Sequence, residues 1–233
     1  MGRFSTARFD RRVELRSCDR RNSSGAACGY RLGYLNGSRR ADHRQRFTSP
    51  AVRDIRLVGS RAEGRASELS DWDFRVEAND FAAVAEALPH LLARLDPLAQ
   101  QWDRLSPEWC WMLILRGPAK VDLIFPDEPH ANEPPWRPSR ENLDAIEAHF
   151  WDWMLWLRGK EAGGKADVVA SELDKVFNHL LAPLGVKASP SSIREAIASY
   201  RAARDRAEQR VGVVVRRELD AAVAPAFADQ RDT

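Results

Sequence analysis

The stretch from Pro126 to Pro138 contains five prolines and divides the chain into two parts with different hydrophobic periodicity. Proline lacks a backbone N–H and fits poorly inside a helix or a paired strand, so the stretch predicts a linker. Before it, apolar and polar residues alternate as in strands; after it, they follow the 3.6-residue period of helices. We therefore predict an α+β fold, a small mixed β-sheet domain followed by a helical bundle domain. The predicted segments are the sheet domain (47–126), the linker (127–139), the helical domain (140–225) and a tail (226–233).

Five segments before the linker predict the sheet domain. The pattern VRDIRLV predicts a strand that ends at a Gly59-Ser60 turn, and SDWDFRVE alternates as a second strand with one buried face. Helical spacing follows over residues 81–95, with a candidate break at Pro89. The segments EWCWMLILRG and AKVDLIF then predict two strands joined by a hairpin turn at Gly117-Pro118.

Three helices are predicted after the linker. The first carries the aromatic run HFWDWMLW and ends at Gly163-Gly164, and the second ends before Pro183. Ser192 and Glu195 have the spacing of a capping box, which predicts the start of a long helix that continues to Val214.

Residues 1–46 differ in charge from the rest of the chain. They hold twelve arginines, no lysine and four acidic residues, a net charge of +8, so with a total of +2 the remainder carries −6. Because the segment lacks apolar periodicity, we predict a disordered extension. A nucleic-acid-binding arm and an organellar transit peptide are the alternatives, and Asp10, Glu14 and Asp19 argue against the second.

The composition predicts a cytoplasmic protein without a membrane partner. No apolar run approaches the roughly 18–20 residues of a membrane span, and no apolar segment follows the first charges as in a secretory signal. The three cysteines, Cys18, Cys28 and Cys110, are odd in number and lack metal-binding spacing, which favours a reducing compartment.

Two aspartates one residue apart are the clearest functional signal. Asp71 and Asp73 share a face of their predicted strand, where like charges repel unless a cation lies between them. Carboxylate pairs of this kind suit Mg²⁺, which is held by one or two carboxylates together with substrate phosphates. Asp122 is the candidate third acid, because it alternates away from the apolar residues of its own strand. Gly59 and Ser60 are candidates for phosphate contact through backbone N–H groups and a hydroxyl.

These motifs resemble the nucleotidyltransferase superfamily of DNA polymerase beta type. Gly59-Ser60, ten residues, Asp71-Trp72-Asp73 and a later strand with Asp122 match the family pattern over about residues 50–125. Within that superfamily the chain resembles small bacterial aminoglycoside adenylyltransferase-like proteins, which also append helices; residues 140–222 match only in layout. The chain departs from the family in showing no convincing helix before the Gly-Ser strand.

The resemblance implies a Mg²⁺-dependent adenylyltransferase. Asp71, Asp73 and Asp122 would be the catalytic and metal-binding residues, and Gly59, Ser60 and Lys120 would bind the nucleotide. The enzyme would move a nucleoside monophosphate, AMP from ATP in first place, to a hydroxyl of a small molecule such as an aminoglycoside, and release pyrophosphate. Nucleic acid is disfavoured as the acceptor because residues 47–233 carry excess negative charge. The alternative is an antitoxin-like nucleotidyltransferase that binds or modifies a partner protein. The oligomeric state and the general base stay open.

Several residues have two interpretations from sequence. Lys120 contacts phosphate or pairs with Asp122, and one of the helical lysines reaches the triphosphate or all are surface charges. The tryptophans of the first predicted helix stack on a base or pack in a core. The two histidines are interpreted as structural, and the two glutamates as weak candidates for extra bases. The residues concerned are Lys160, Lys165, Lys175, Trp151, Trp153, Trp156, His149, His179, Glu161 and Glu172.

Overall fold

A computed structural model describes residues 50–131 and 136–228 of the chain. The described residues all belong to one compact unit, Gly37–Thr233. The predicted extension, residues 1–46, and the last residues of the predicted tail, 229–233, lie outside the described residues.

The described strands form one mixed sheet, as the sequence predicted, but with five strands instead of the four predicted. Its spatial order is β1-β2-β5-β4-β3. The pair β2–β5 is parallel, whereas β1–β2, β5–β4 and β4–β3 are antiparallel. The short strand β3 was missed from sequence. The bounds are β1 Val52–Val58, β2 Trp72–Ala78, β3 Ala99–Trp102, β4 Glu108–Leu115 and β5 Ala119–Pro129.

Six α-helices lie in the described residues, four of them after the predicted linker. The sequence did not predict α6, and α1 is a single turn directly after β1. None of these helices has the length and apolar character that a bilayer crossing needs. The bounds are α1 Gly59–Ala62, α2 Phe81–Leu92, α3 Leu143–Ala162, α4 Ala166–Val176, α5 Ile193–Val211 and α6 Glu218–Val223.

The two faces of the sheet pack against different helices. Val121, Leu123 and Phe125 of β5 belong to an apolar cluster with α2. The intervening residues of β5 point to the opposite face, where Lys120 meets Asp152 of α3. Strand alternation therefore places the acid of β5 on the face that α3 covers.

Two helix ends test the predicted boundaries. The Ser192 hydroxyl accepts a hydrogen bond from the Glu195 N–H, which confirms the predicted cap of α5. The prediction that this helix continues to Val214 is wrong, because Gly212 adopts a left-handed φ of 69° and ends it after Val211. Pro89 lies within α2 and does not break it.

The predicted linker and tail both contain packed residues. Strand β5 continues to Pro129, three residues beyond the predicted end of the sheet domain. Trp136 is 5% exposed and belongs to the core of the helices. Phe227 of the predicted tail lies 6.0 Å from Trp151, ring centre to ring centre. The division into domains stays a prediction.

A buried ionic network joins α3, α5 and α6. The Arg204 guanidinium donates to both oxygens of Glu147 at 3.3 Å and to Asp220 at 2.8 Å. Glu147 also accepts from Trp151 Nε1 at 2.8 Å and from the Tyr200 hydroxyl at 2.5 Å. All of these groups are buried, so removal of Arg204 leaves Glu147 without its cation, whereas Asp220 keeps its ion pair with Arg201.

We expect Arg204→Met to lower the free energy of unfolding by about 3–5 kcal/mol, because the buried Glu147 carboxylate loses the cation that pairs with it. Urea unfolding followed by circular dichroism measures this loss. Arg206→Met, at an exposed position of the same helix, is the matched control and should change stability by less than about 0.5 kcal/mol. Equal losses in the two variants would contradict a role for the network.

Candidate functional site

The registers of three neighbouring strands bring the predicted acids together. Asp73 of β2 lies opposite Val58 of β1 on one side and opposite Asp122 of β5 on the other. Asp71 immediately precedes β2. One carboxylate oxygen from each of the three aspartates lies within 4.8 Å of the other two.

Gly59 allows this arrangement because its missing side chain leaves room for Asp73. A Cβ atom at position 59 would lie 2.5 Å from Asp73 Oδ2, and the residue has a φ of +68°. Both facts favour glycine, since L side chains rarely adopt this φ and atoms do not approach that closely. The predicted Gly59-Ser60 turn therefore lies directly against the carboxylates, with Ser60 in the single turn of α1.

Burial and mutual repulsion raise the pKa values of two acids in this cluster. Burial is the main cause that raises the pKa of Asp71 from 3.8 to about 6; the Lys120 ammonium opposes the rise, and Asp122 and Asp73 add to it. Burial and the charge of Asp122 also raise the pKa of Asp73. A cation that binds among such carboxylates stabilises their charged form and relieves their mutual repulsion.

Lys120 lies behind the cluster in a buried ion pair. Its ammonium hydrogen-bonds Asp122 Oδ2 and lies 3.4 Å from Asp152 Oδ1, with only 7% of the side chain exposed. Burial lowers the pKa of Lys120, but the charges of Asp122 and Asp152 outweigh it and leave the pKa well above its usual value. The sequence left two interpretations of Lys120 open. The structure shows the ion pair with Asp122, and contact with phosphate stays a prediction.

The sequence interpretation missed Asp152, which is 5% exposed. Burial raises the pKa of its carboxyl well above the usual value, and Lys120 opposes the rise. The sequence signal that could have revealed Asp152 is an acid inside the aromatic run of α3, where an unpaired charge is costly. The structure identifies its partner as a lysine of the sheet.

Two further residues missed from sequence fix the loop before Asp71. The Arg61 side chain donates to the backbone carbonyls of Ser70 and Asp71 and stacks over Trp72 at 4.2 Å. On the other side, a Cβ at Gly159 of α3 would lie 3.1 Å from the Leu69 carbonyl oxygen. Close backbone approach thus favours glycine in α3 at this point.

The three candidate lysines of the helical part lie in different environments. The charge of Lys160 acts on both Asp71 and Asp73, and its ammonium lies 4.6 Å from the ring centre of Trp156. Lys175 instead pairs with Glu172 at 2.6 Å, and Lys165 is exposed at the start of α4. Lys160 is therefore the candidate whose charge reaches the aspartates.

The aromatic, histidine and glutamate candidates mostly serve packing. Trp151 is fully buried, and Trp153 Nε1 donates to Glu172 at 3.1 Å. His149 is buried beside Asp103, with 3.7 Å between Nδ1 and Oδ1, and burial lowers its pKa. Glu161 accepts a hydrogen bond from Arg158.

Two cavities share lining residues, and the smaller one opens beside the loop that leads to Asp71. The larger, about 780 Å³, is lined by α3, α5 and the C-terminal turn, and the smaller, about 340 Å³, by residues 67–69 and the same turn. Both include Arg158 and Ala228, and the three aspartates line neither. The smaller cavity thus lies beside the loop, and neither cavity lies over the carboxylates.

The donor set suits a hard divalent cation. Three carboxylates face one point, and Asp122 Oδ1 is buried without a hydrogen-bond partner among the described residues. A buried carboxylate oxygen without a partner is costly, and coordination to a cation satisfies it. The residues present therefore fit Mg²⁺.

Comparisons with known proteins add little to this geometry. No protein-family model and no curated protein sequence matches the chain. Among solved structures, the chain is similar to the crystal structure of an aminoglycoside 6-adenyltransferase from Bacillus subtilis, with 10% sequence identity and a TM-score of 0.26. The match covers 77% of this chain and 92% of that chain. At this TM-score the likeness supports no inference about activity.

We expect Gly59→Ala to displace the Asp73 carboxylate and to weaken divalent cation binding. The backbone strain alone costs roughly 1–2 kcal/mol, and the contact with Asp73 adds to it. Gly64→Ala is the matched control, since φ is +69° there and no atom lies within 4 Å of the added Cβ. Thermal melting with and without Mg²⁺ measures both effects. An equal response to Mg²⁺ in the two variants would show that the contact with Asp73 is unimportant.

We expect Asp71→Asn to stabilise the cation-free protein, and more so at pH 7.5 than at pH 5. A pKa raised to about 6 on folding gives stability that is present below the unfolded value of 3.8 and lost as the pH rises through about 6. Asparagine removes that loss. Melting temperatures in EDTA at the two pH values test it, and a pH-independent difference between variant and wild type would refute it.

Proposed function

We propose that this chain is a Mg²⁺-dependent nucleotidyltransferase that moves a nucleoside monophosphate, AMP from ATP in first place, to a hydroxyl of a small molecule. The observation that carries the proposal is the group formed by Asp71, Asp73 and Asp122 on neighbouring strands against the Gly59-Ser60 turn. Three carboxylates at one point suit phosphoryl chemistry, in which catalysis consists mainly of positioning and neutralising charge.

Each aspartate has a defined task in this proposal. Asp71 and Asp73 would hold Mg²⁺, which when bound neutralises phosphate charge and orients the triphosphate. Asp122 would either bind a second ion or take the proton of the acceptor hydroxyl. The acceptor oxygen forms a bond to the α-phosphorus as the bond from that phosphorus to the β-phosphate oxygen breaks, and pyrophosphate leaves with the electron pair.

The nucleotide would lie between the Gly59-Ser60 turn and α3. The Ser60 hydroxyl and nearby backbone N–H groups would contact phosphate oxygens. Lys160 would add a positive charge from the opposite side, which is supported by its electrostatic effect on Asp71 and Asp73. Lys120 would act through Asp122, because its ammonium is enclosed between two carboxylates.

The acceptor would be a small molecule bound where the sheet meets the helices. Residues 47–233 carry −6, which suits a cationic acceptor such as an aminoglycoside and disfavours nucleic acid. A screen of antibiotics and metabolites with labelled ATP and Mg²⁺, with pyrophosphate release as readout, tests the reaction class directly. Absence of nucleotide-dependent product with every acceptor, together with no ATP binding, would reject the proposal.

We expect Asp122→Ala to lower kcat by a factor on the order of 10²–10⁴, the usual contribution of a general base. ATP affinity should change less than kcat, because Gly59, Ser60, Asp71 and Asp73 remain. Separate measurement of kcat and of nucleotide affinity by calorimetry tests this split.

The matched control for this variant lies on the same strand. Asp127→Asn removes an exposed acid of β5 that pairs with Arg53 and Arg75, far along the strand from the cluster. It should leave kcat unchanged, since exposed ion pairs contribute roughly 0–1 kcal/mol to stability and nothing to the reaction. A wild-type kcat in Asp122→Ala would reduce the site to two acids.

A further inference from the structure

Asp152 is a buried acid that the proposed reaction does not use. It lies in the middle of α3 and is 5% exposed, and its Oδ1 has no hydrogen-bond partner among the described residues. The Lys120 ammonium of β5 lies 3.4 Å from this oxygen. A carboxylate this deeply buried is costly unless it is paired, and Lys120 is the cation that pairs with it.

The same ammonium is bound to the candidate metal ligand. Lys120 hydrogen-bonds Asp122 Oδ2, while the other oxygen of that carboxylate, Oδ1, is buried and unpartnered among the described residues. A chain of contacts therefore runs from α3 through Asp152 and Lys120 to Asp122. Partners of this kind behind metal ligands fix ligand orientation and tune the charge at the metal.

We propose that Asp152 is a positioning residue that acts on the metal cluster through Lys120. By drawing the ammonium toward α3, Asp152 keeps Asp122 from being fully neutralised and keeps its free oxygen directed at the cluster. This inference rests on the proposed function, because it assumes that Asp122 takes part in metal binding.

Position along the strand explains why one lysine serves both acids. Lys120 and Asp122 are two residues apart in β5, so their side chains share the face that α3 covers. In α3, Gly159 allows close approach to the Leu69 carbonyl just before Asp71. Helix α3 therefore lies close both to the loop before Asp71 and to Lys120 of the sheet.

The test is a titration of the full-length protein with Mn²⁺, followed by electron paramagnetic resonance, so that no substrate or turnover is needed. We expect Asp152→Asn to weaken Mn²⁺ binding by about 10-fold, the lower end of the effects seen for such partners. The same variant should lower kcat more than it raises KM for ATP, because the nucleotide contacts are retained.

Glu147→Gln is the matched control. Glu147 is another buried acid of α3, 2% exposed, but it belongs to the network around Arg204 and not to the metal cluster. It should lower the melting temperature without changing Mn²⁺ affinity. Equal Mn²⁺ affinity in Asp152→Asn and Glu147→Gln would overturn the inference.

A double-mutant cycle tests whether the effect passes through Lys120. In a Lys120→Met background, Asp152→Asn should cause no further change in Mn²⁺ affinity, whereas additive effects would overturn the inference. If Lys120→Met does not fold, the double variant Lys120→Met with Asp152→Leu removes the whole pair. Its Mn²⁺ affinity should then exceed that of Asp152→Asn, because the ammonium that would neutralise Asp122 is gone, and an affinity as low as that of Asp152→Asn would overturn the inference.

Failure of the proposed function and failure of this inference give different results in the Mn²⁺ titration. If wild type and Asp71→Asn bind Mn²⁺ equally, the metal cluster itself is wrong and both proposals fall. If Asp71→Asn abolishes binding and Asp152→Asn leaves it at the wild-type level, only the positioning role of Asp152 is lost.

Discussion

The parallel pairing of β2 with β5 is the constraint on which the rest of the structure depends. Its register sets Asp73 opposite Asp122, and the antiparallel pairing of β1 on the other side sets the Gly59 turn against the same carboxylate. A shift by one residue would turn Asp122 to the face covered by α2 and bring an apolar neighbour to the cluster. The apolar side chains of β5 prevent that shift, because they are buried against α2.

Much of the sheet and of the acidic cluster could be predicted from sequence, because both follow from alternation. The period-two pattern around Asp71 and Asp73 and the acid within the apolar pattern of β5 are local features. Strand β3 was missed, because AQQW is short and carries two glutamines without a clear apolar face. Asp152 was missed as a partner of the cluster, because a contact between a helix and a distant strand leaves no local pattern.

The errors in the predicted ends of β5 and α5 also have physical causes. Prolines at 126 and 129 suggested that the strand had ended, yet β5 continues to Pro129. Its pairing with β2 stops at Ile124, and beyond that point only β4 pairs with it. The missing N–H of a proline is tolerated on the unpaired side of such an edge. Gly212 ended α5 earlier than its valines suggested, since a left-handed residue satisfies the last carbonyls of the helix.

The parallel pair also has a consequence for the order of folding. Parallel neighbours need a crossover connection between them. Here the segments of α2, β3 and β4 must all be synthesised before β5 can lie beside β2. The hairpin β4–β5 forms from residues close in sequence, but the contact between Asp73 and Asp122 is long-range and pays its loop-closure entropy late. A nascent chain that has exposed only β1 and β2 holds two of the three carboxylates. Any cation that needs all three would therefore bind only the completed sheet and stabilise that state alone.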